Sequence, residues 1–389
     1  MTPTEKLLAC FPKSAGAAFD WAGIVEALPG DILRRLADTP QDPAWHGEGD
    51  AAVHTRMVCE ALAALPAYWA QPESRRTALM LAALLHDVGK IPCTRLEDGR
   101  YVSPHHGSTG AHMARELLWT RLALSGTPAG QRLRETVCAL VRWHMAPVHM
   151  LSQEQPEWTL RQLAADGALL PDFTLEALCL LSEADVRGRI APDVPELLES
   201  VQLCRELADE AGCLTGPAAF ADAYTRRAYF RGSQVWPGQT LYDPTWGEAI
   251  ILSGLPGTGK DTWIAAHAAD LPVVSLDALR EQLDVSPTET QGRVAQAALE
   301  QARAHLRAKQ PFVWNATNLT EPMRMKLVTL CEDYGASARI VYLETPWEEN
   351  LRRNEARTAC VPAGAIARML GKLAPPRVFE ARTVEWHCV

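Results

Sequence analysis

The sequence predicts a multi-domain protein: an all-α helical bundle followed by an α/β domain with a parallel sheet and a helical lid. Three observations predict this. Residues 1 to about 228 are rich in Ala and Leu, and segment after segment carries apolar residues at i, i+3 and i+4. Residues 232–247 are dense in Pro and Gly and interrupt that pattern. Beyond them, short β-like runs alternate with helical segments, the order that builds a parallel sheet. The expected division is a first domain over 1–228, a connector over 229–247 and a second domain over 248–389. A chain of 389 residues suits two domains.

In the first domain the expected helices include 53–65, 76–86, 110–121, 133–144, 175–187 and 195–211. In the second the expected strands are 249–252, 272–275, 311–314 and 339–343. Ligand chemistry in such a sheet gathers at the carboxyl ends of its strands.

Composition excludes some functions. The net charge is −9, whereas a long nucleic-acid footprint shows as a basic domain. A nucleic-acid partner would therefore be gripped at an end. Ten cysteines are scattered with no C-x-x-C pair, which argues against a zinc ribbon or a disulfide framework and for a reducing compartment. There is no apolar run near the ~20 residues of a membrane span and no secretory leader pattern at Met1. The expectation is a cytoplasmic protein with no membrane partner.

The first chemical signal is Leu84-Leu85-His86-Asp87-Val88-Gly89-Lys90. A His-Asp pair ending a nearly all-apolar helix needs a reason to be buried. Around it stand His54, His105, His106, His144 and Asp185. The order H…HD…H…H…D resembles the HD-domain metal phosphohydrolases. The resemblance implies that His54, His86, Asp87 and Asp185 ligate a first metal ion. It implies that His106 and His144 serve a second ion or the substrate phosphate, with His105 the rival of His106. The runs 103–111 and 142–145 also resemble the HD region of bacterial tRNA nucleotidyltransferases, although that family's paired D-x-D is missing. Imidazoles with carboxylates suit Mn, Fe, Co, Ni or Zn better than Mg or Ca. Asp87 can bridge two ions, and ions ~3.5–4 Å apart can activate water and neutralise phosphoryl oxygens. Lys90 reads equally as a phosphate contact or as a surface lysine. His46 is a candidate for the pocket wall, whereas His112 and His149 read as core residues.

The second signal is Gly254-Leu255-Pro256-Gly257-Thr258-Gly259-Lys260-Asp261, lying between an apolar run and a helical pattern that starts at Thr262. Strand, glycine loop and helix together form a phosphate cradle, with backbone N–H groups and the helix N-terminus facing the anion. Lys260 would reach the β- and γ-phosphates of a nucleoside triphosphate held with Mg2+. The Ser or Thr that usually follows this lysine to bind magnesium is Asp261, with Thr262 next. Either the carboxylate holds the metal or Thr262 takes over.

Asp277, just past the second expected strand, can take a proton from an attacking hydroxyl. Arg280, three residues on, can hold an acceptor phosphate. This D-x-x-R pair and the run Asn315-Ala316-Thr317-Asn318 resemble the 5′-hydroxyl polynucleotide kinases. From Leu351 to Arg382 seven basic residues face only Glu355 and Glu380. Arg353 and Arg357, four apart, are the candidates to stabilise phosphoryl-transfer charge from a lid.

The order of parts resembles HD-Pnk, a family of bacterial end-healing enzymes, over almost the whole chain. The resemblance implies an HD phosphohydrolase followed by a P-loop polynucleotide kinase. The first would remove a 3′-phosphate or 2′,3′-cyclic phosphate from an RNA or DNA end. The second would phosphorylate the 5′-hydroxyl, leaving ends for a ligase. Two alternatives stay open: an HD nucleotide phosphohydrolase fused to a small-molecule or nucleoside kinase, and the same hydrolase governed by a nucleotide-sensing P-loop domain.

Overall fold

The computed structural model describes residues 1–286, 289, 291–357 and 360–389. They form two compact units, Met1–Ala218 and Ala219–Val389.

The first unit is helical. Its main helices are α1 (Ala51–Ala64), α2 (Glu73–Leu85), α3 (His106–Thr120), α4 (Pro128–Trp143), α5 (Leu175–Arg187) and α6 (Val194–Glu210). Several start earlier than apolar spacing alone predicts, because caps and prolines set the first turn. Asp50 accepts from the Ala52 and Val53 amides to start α1, and Thr127 with Pro128 starts α4. Within the unit α1 packs on α2 and α5, and α3 on α4. Every residue of α2 from Ala78 to Leu85 is buried. Each fully buried Leu there contributes roughly 1.5–3 kcal/mol, enough to hold polar groups in the same interior. A hairpin of β1 (Arg95–Glu97) and β2 (Arg100–Val102) precedes α3. The expected elements did not include it, although Asp98 and Gly99, both at positive φ, are a recognisable two-residue turn.

The second unit begins earlier than the expected boundary. Its helix α7 (Ala223–Phe230) packs on the α/β body, because Arg227 donates to Glu332 and to the Phe379 carbonyl. In chain order there follow β3 (Glu248–Ser253), α8 (Lys260–His267), β4 (Val273–Ser275), α9 (Leu276–Gln282), α10 (Gly292–Arg307) and β5 (Val313–Asn315). Then come α11 (Glu321–Asp333), β6 (Ser337–Glu344), α12 (Trp347–Glu355), α13 (Ala363–Leu370) and β7 (Thr383–Cys388). Among the described residues five strands pair in parallel, in the order β4-β5-β3-β6-β7. The edge strand β7 was not among the expected strands. Alternate residues of β3 feed two cores: Ala249 and Ile251 pack with α10 and α11, while Ile250 and Leu252 pack with Trp263 and Ile264 of α8. A sheet covered on both faces leaves its carboxyl edge for chemistry. Among the described residues no helix is long and apolar enough to cross a membrane.

Candidate active sites

In the first unit, α1 carries His54, the end of α2 carries His86 and Asp87, α3 opens on His106, His144 caps α4, and α5 carries Asp185. Gly89 makes this convergence sterically allowed. A Cβ there would lie 2.0 Å from the His106 carbonyl oxygen and 2.6 Å from the Gly110 amide nitrogen. The end of α2 and the start of α3 therefore touch backbone to backbone.

His54, His86, Asp87, His144 and Asp185 are each at most 3% exposed, and His106 is partly buried. His54 Nε2 lies 3.0 Å from Asp185 Oδ1 and 3.7 Å from Asp87 Oδ2. His86 Nε2 lies 3.3 Å from Asp87 Oδ2, and His106 Nε2 3.6 Å from Asp87 Oδ1. The ligating atoms of His54, His86 and Asp87 fall within 4.8 Å of one another, as do those of Asp87, His106 and His144. Asp87 is common to both groups.

The ring tautomers follow from backbone contacts. Nδ1–H of His86, His106 and His144 donates to the carbonyls of Ala83, Ser103 and Val141 at 2.8, 2.8 and 2.7 Å. Each Nε2 lone pair is left facing the cluster, the arrangement of metal-bound histidines. His106 Nε2 and His144 Nε2 lie 3.2 Å apart, two lone pairs that only a shared proton or a cation relieves. His86 Nε2 and Asp87 Oδ1 are buried without a hydrogen bond, and Asp87 Oδ2 has the Lys90 ammonium at 2.8 Å. An unsatisfied group of this kind costs about 1–3 kcal/mol, and a bound cation would satisfy both His86 Nε2 and Asp87 Oδ1. The donor set of imidazoles and carboxylates thus fits a transition-metal ion.

The charges agree. Burial alone would raise Asp87, but Lys90 and the histidines hold it well below the usual carboxylate range. Burial likewise opposes Arg189 and His54 at Asp185, which they hold low. Burial pushes His54 down, yet its contacts with Asp185 and Glu48 outweigh this and raise it to about 9. Burial, with His106 and His86 beside it, lowers His144 to about 3. The site thus draws positive charge to its carboxylates while keeping His144 neutral.

Beside the cluster is a cavity of about 200 Å³, walled in part by His46, Lys90, His106 and Arg189. Lys90 Nζ sits 2.8 Å from Asp87 Oδ2 and donates to Gln41 at 2.7 Å, so it is a buried partner of Asp87 and also a cavity residue. His105 takes a left-handed backbone conformation as the cap of α3 and is exposed. His106 is the member of that pair which turns inward. Sequence reasoning missed Glu48. Its side chain is fully buried, with His46 Nδ1 at 2.7 Å, His54 Nδ1 at 3.1 Å and the Ile190 amide at 2.8 Å. No periodicity marks Glu48, and one of its partners lies 142 residues away.

In the second unit the loop between β3 and α8 carries Gly254, Gly257, Thr258, Gly259 and Lys260. Gly254 has φ 145°, and a Cβ there would lie 2.4 Å from the Leu343 carbonyl oxygen, so only glycine fits. Gly259 caps α8. Lys260 Nζ donates to the Gly254 and Leu255 carbonyls at 3.1 and 2.8 Å. Burial, helped by Arg357, lowers Lys260 to about 8 against the pull of Asp261 and Asp277. The base of the loop is clamped by the Asn315–Asn318 run. The Gly254 amide donates to the Thr317 carbonyl at 2.9 Å, and Asn318 Nδ2 to the Leu252 carbonyl at 2.6 Å. From the other side the buried Asn350 donates to the Pro256 carbonyl at 2.8 Å, a contact with no sequence signal.

Asp261 and Thr262 are exposed on the first turn of α8, and Asp261 accepts from Asn315 at 2.7 Å. Asp277 is exposed, paired with Arg280, and has Arg357 at 3.9 Å. Arg280 also donates to Gln291 at 2.7 Å. Arg353 Nη1 lies 3.8 Å from where a Gly259 Cβ would stand, while its Nε binds Glu349. Arg353 and Arg357 therefore lie beside the loop. Other cations of the expected lid are held elsewhere. Arg382 binds Asp243 and Thr245, and Arg377 lies over the Phe379 ring. Thr358 and Ala359, within that expected segment, lie outside the described residues.

Comparison with known proteins matches residues 51–185 to the HD domain family and residues 250–376 to the AAA domain family AAA_33. The "Multifunctional CCA protein" of Thioalkalivibrio sulfidiphilus is 30% identical over 159 residues, covering 40% of this chain and 34% of that one. The protein of the same name from Halorhodospira halophila is 34% identical over 211 residues, covering 53% of this chain and 45% of that one. The chain spans less than half the length of these curated relatives. Among solved structures, a gluconokinase from Sinorhizobium meliloti is 23% identical with a TM-score of 0.28, over 37% of this chain and 83% of its own. The chain carries an N-terminal helical HD domain and a C-terminal P-loop kinase-like domain with a parallel sheet.

Proposed function

We propose that the protein heals broken nucleic-acid ends, using its HD domain on the 3′ side and its P-loop domain on the 5′ side. The observation that carries the reading is Asp277 on the first turn of α9, just past the carboxyl end of β4, with Arg280 paired to it and Arg357 at 3.9 Å. Asp277 takes the proton of a 5′-hydroxyl, Arg280 holds a phosphate of the acceptor strand, and Lys260 holds the β- and γ-phosphates of a nucleoside triphosphate bound with Mg2+. Arg353 and Arg357 stabilise the charge that develops on the transferred group.

In the HD domain, His54, His86, Asp87 and Asp185 would hold one transition-metal ion, and His106 and His144 a second or the substrate phosphate. Such an ion supplies Lewis-acid charge to a phosphoryl oxygen when bound. The chain's own residues then position the ester: Lys90 and Arg189 line the cavity as cations, and Glu48 fixes the His54 ring. The substrate is a 3′-phosphate or 2′,3′-cyclic phosphate. Relatives named multifunctional CCA proteins support a nucleic-acid substrate, and the net charge of −9 agrees with gripping an end by few contacts. The products are the ends a ligase joins.

The test is an oligonucleotide with a 5′-hydroxyl and a 3′-phosphate, incubated with ATP and with Mg, Mn, Co or Ni separately, with both ends resolved. The expected result is 5′ phosphorylation with Mg alone and 3′ phosphate release only with a transition metal. Faster phosphorylation of free nucleosides than of oligonucleotides would favour a small-molecule kinase instead.

A further inference from the structure

We propose that the HD cavity also recognises the terminal nucleobase of the strand it dephosphorylates, with Trp45 and Tyr101 as the stacking surface at its mouth. The inference rests on reading that cavity as a 3′-end phosphoesterase site.

Large aromatic side chains are normally mostly buried. Trp45 is 42% exposed and Tyr101 40% exposed, and both line the cavity that contains Asp87, His106 and His144. Among the described residues neither ring stacks on another ring or on a guanidinium. Their backbones are nonetheless fixed. The Trp45 amide donates to the Asp42 carbonyl at 3.0 Å, and the next residue, His46, is bound through Nδ1 to Glu48, which also holds His54. Tyr101 stands on β2 opposite Leu96. The base of that hairpin is tied by the Thr94 and Ser103 hydroxyls at 2.8 Å, and the Ser103 carbonyl accepts from His106 Nδ1. Each aromatic therefore stands within two residues along the chain of a group whose hydrogen bonds lead to a histidine of the cluster.

The size of the cavity separates the parts of a nucleotide. At about 200 Å³ it is smaller than the ~300–1,000 Å³ typical of whole small-molecule sites. A phosphate and its sugar occupy it, and the attached base remains at the rim where the two rings stand. Stacking on an aromatic tolerates any base and strengthens binding roughly 5- to 150-fold per base. This surface would let the site distinguish a nucleotide end from a small phosphate ester without reading sequence.

The experiment compares phosphate release from two 3′-phosphorylated oligonucleotides, one with a normal terminal nucleotide and one with an abasic terminal nucleotide. Wild type, Trp45→Ala, Trp45→Phe and Tyr101→Ala are assayed, and bound metal is measured for each. The expected wild-type KM is roughly 5- to 150-fold lower for the base-bearing end, with similar kcat. Each Ala variant should shrink that gap while leaving the abasic KM and the metal content unchanged, and Trp45→Phe should keep part of it. Equal wild-type KM values, or Ala variants that slow both substrates alike or lose metal, would overturn the inference. Release from neither substrate would overturn the phosphoesterase reading, and this inference with it.

Discussion

Asn315 Nδ2 donates to Asp261 Oδ1 across 2.7 Å, joining the carboxyl end of β5 to the first turn of α8. A carboxylate thus stands where P-loop proteins usually carry a hydroxyl, and a neutral amide stands at the strand end where many carry an acid. The second Asp261 oxygen remains available to a hard cation. Asp261→Ala should raise the Mg2+ concentration for half-maximal kinase activity by about 10-fold or more, since a charge-assisted contact is worth roughly 1.5–3 kcal/mol. A magnesium titration checks this, and an unchanged half-saturation point would assign the metal to Thr262 or to phosphate and water alone.

Lys260 sets a pH dependence. Burial lowers its ammonium to about 8 in the free protein, and a triphosphate binds the protonated form. Below pH 8 the charge is present and affinity is flat. Above pH 8 binding must first recover the proton, so affinity falls, approaching about tenfold per pH unit. Nucleotide Kd measured from pH 7 to 10 should bend near 8 in wild type and lose that bend in Lys260→Arg. A flat wild-type profile would place Lys260 away from the phosphates.

Glu48 meets His54 at Nδ1, the ring nitrogen opposite the one that faces Asp87 and Asp185. Glu48→Gln should weaken metal affinity roughly 10- to 100-fold, as loss of such outer partners does, with the fold retained. Metal content after dialysis against a graded chelator, with circular dichroism as the control, checks both halves. Full metal retention would make the contact incidental.

Gly89 is a packing requirement, since its Cα lies against the backbone of α3. Gly89→Ala should lower the thermal midpoint, because forcing atoms into a close contact costs about 1–3 kcal/mol or more. It should also lower metal content by moving His106 away from Asp87. An unchanged midpoint would mean that the two helix ends can separate at no cost.

Much of this was legible in the sequence for physical reasons. The glycine loop needs a fixed spacing, and the His-Asp pair stands out because polar groups ending an apolar helix are costly. Helix α5 was readable to its bounds because Thr174 caps it and Arg187 precedes Gly188. The contacts that were not legible join residues remote in sequence. Glu48 meets the Ile190 amide, Asn350 meets the Pro256 carbonyl, and nothing local announces either. Strand β7 is a half-buried edge strand in which Thr383-Val384-Glu385-Trp386 gives weak alternation. Arg382 read as a lid cation, yet it stands just before that strand and pairs with Asp243. A run of like charges does not reveal which members a neighbouring carboxylate will claim.

The proposed function needs two independent sites, one acting on each side of a break. The most direct measurement follows both ends of a 5′-hydroxyl, 3′-phosphate oligonucleotide with wild type, Asp87→Ala and Lys260→Ala, with Mg2+, a transition metal and ATP all present. Asp87→Ala should abolish 3′ phosphate release and leave 5′ phosphorylation within about twofold, because its loss removes the carboxylate common to both ligand groups. Lys260→Ala should do the reverse, losing roughly 10²-fold or more of kinase rate. If Asp87→Ala keeps its 3′ phosphatase activity, or if either variant silences both ends, the account of two separate healing sites is contradicted.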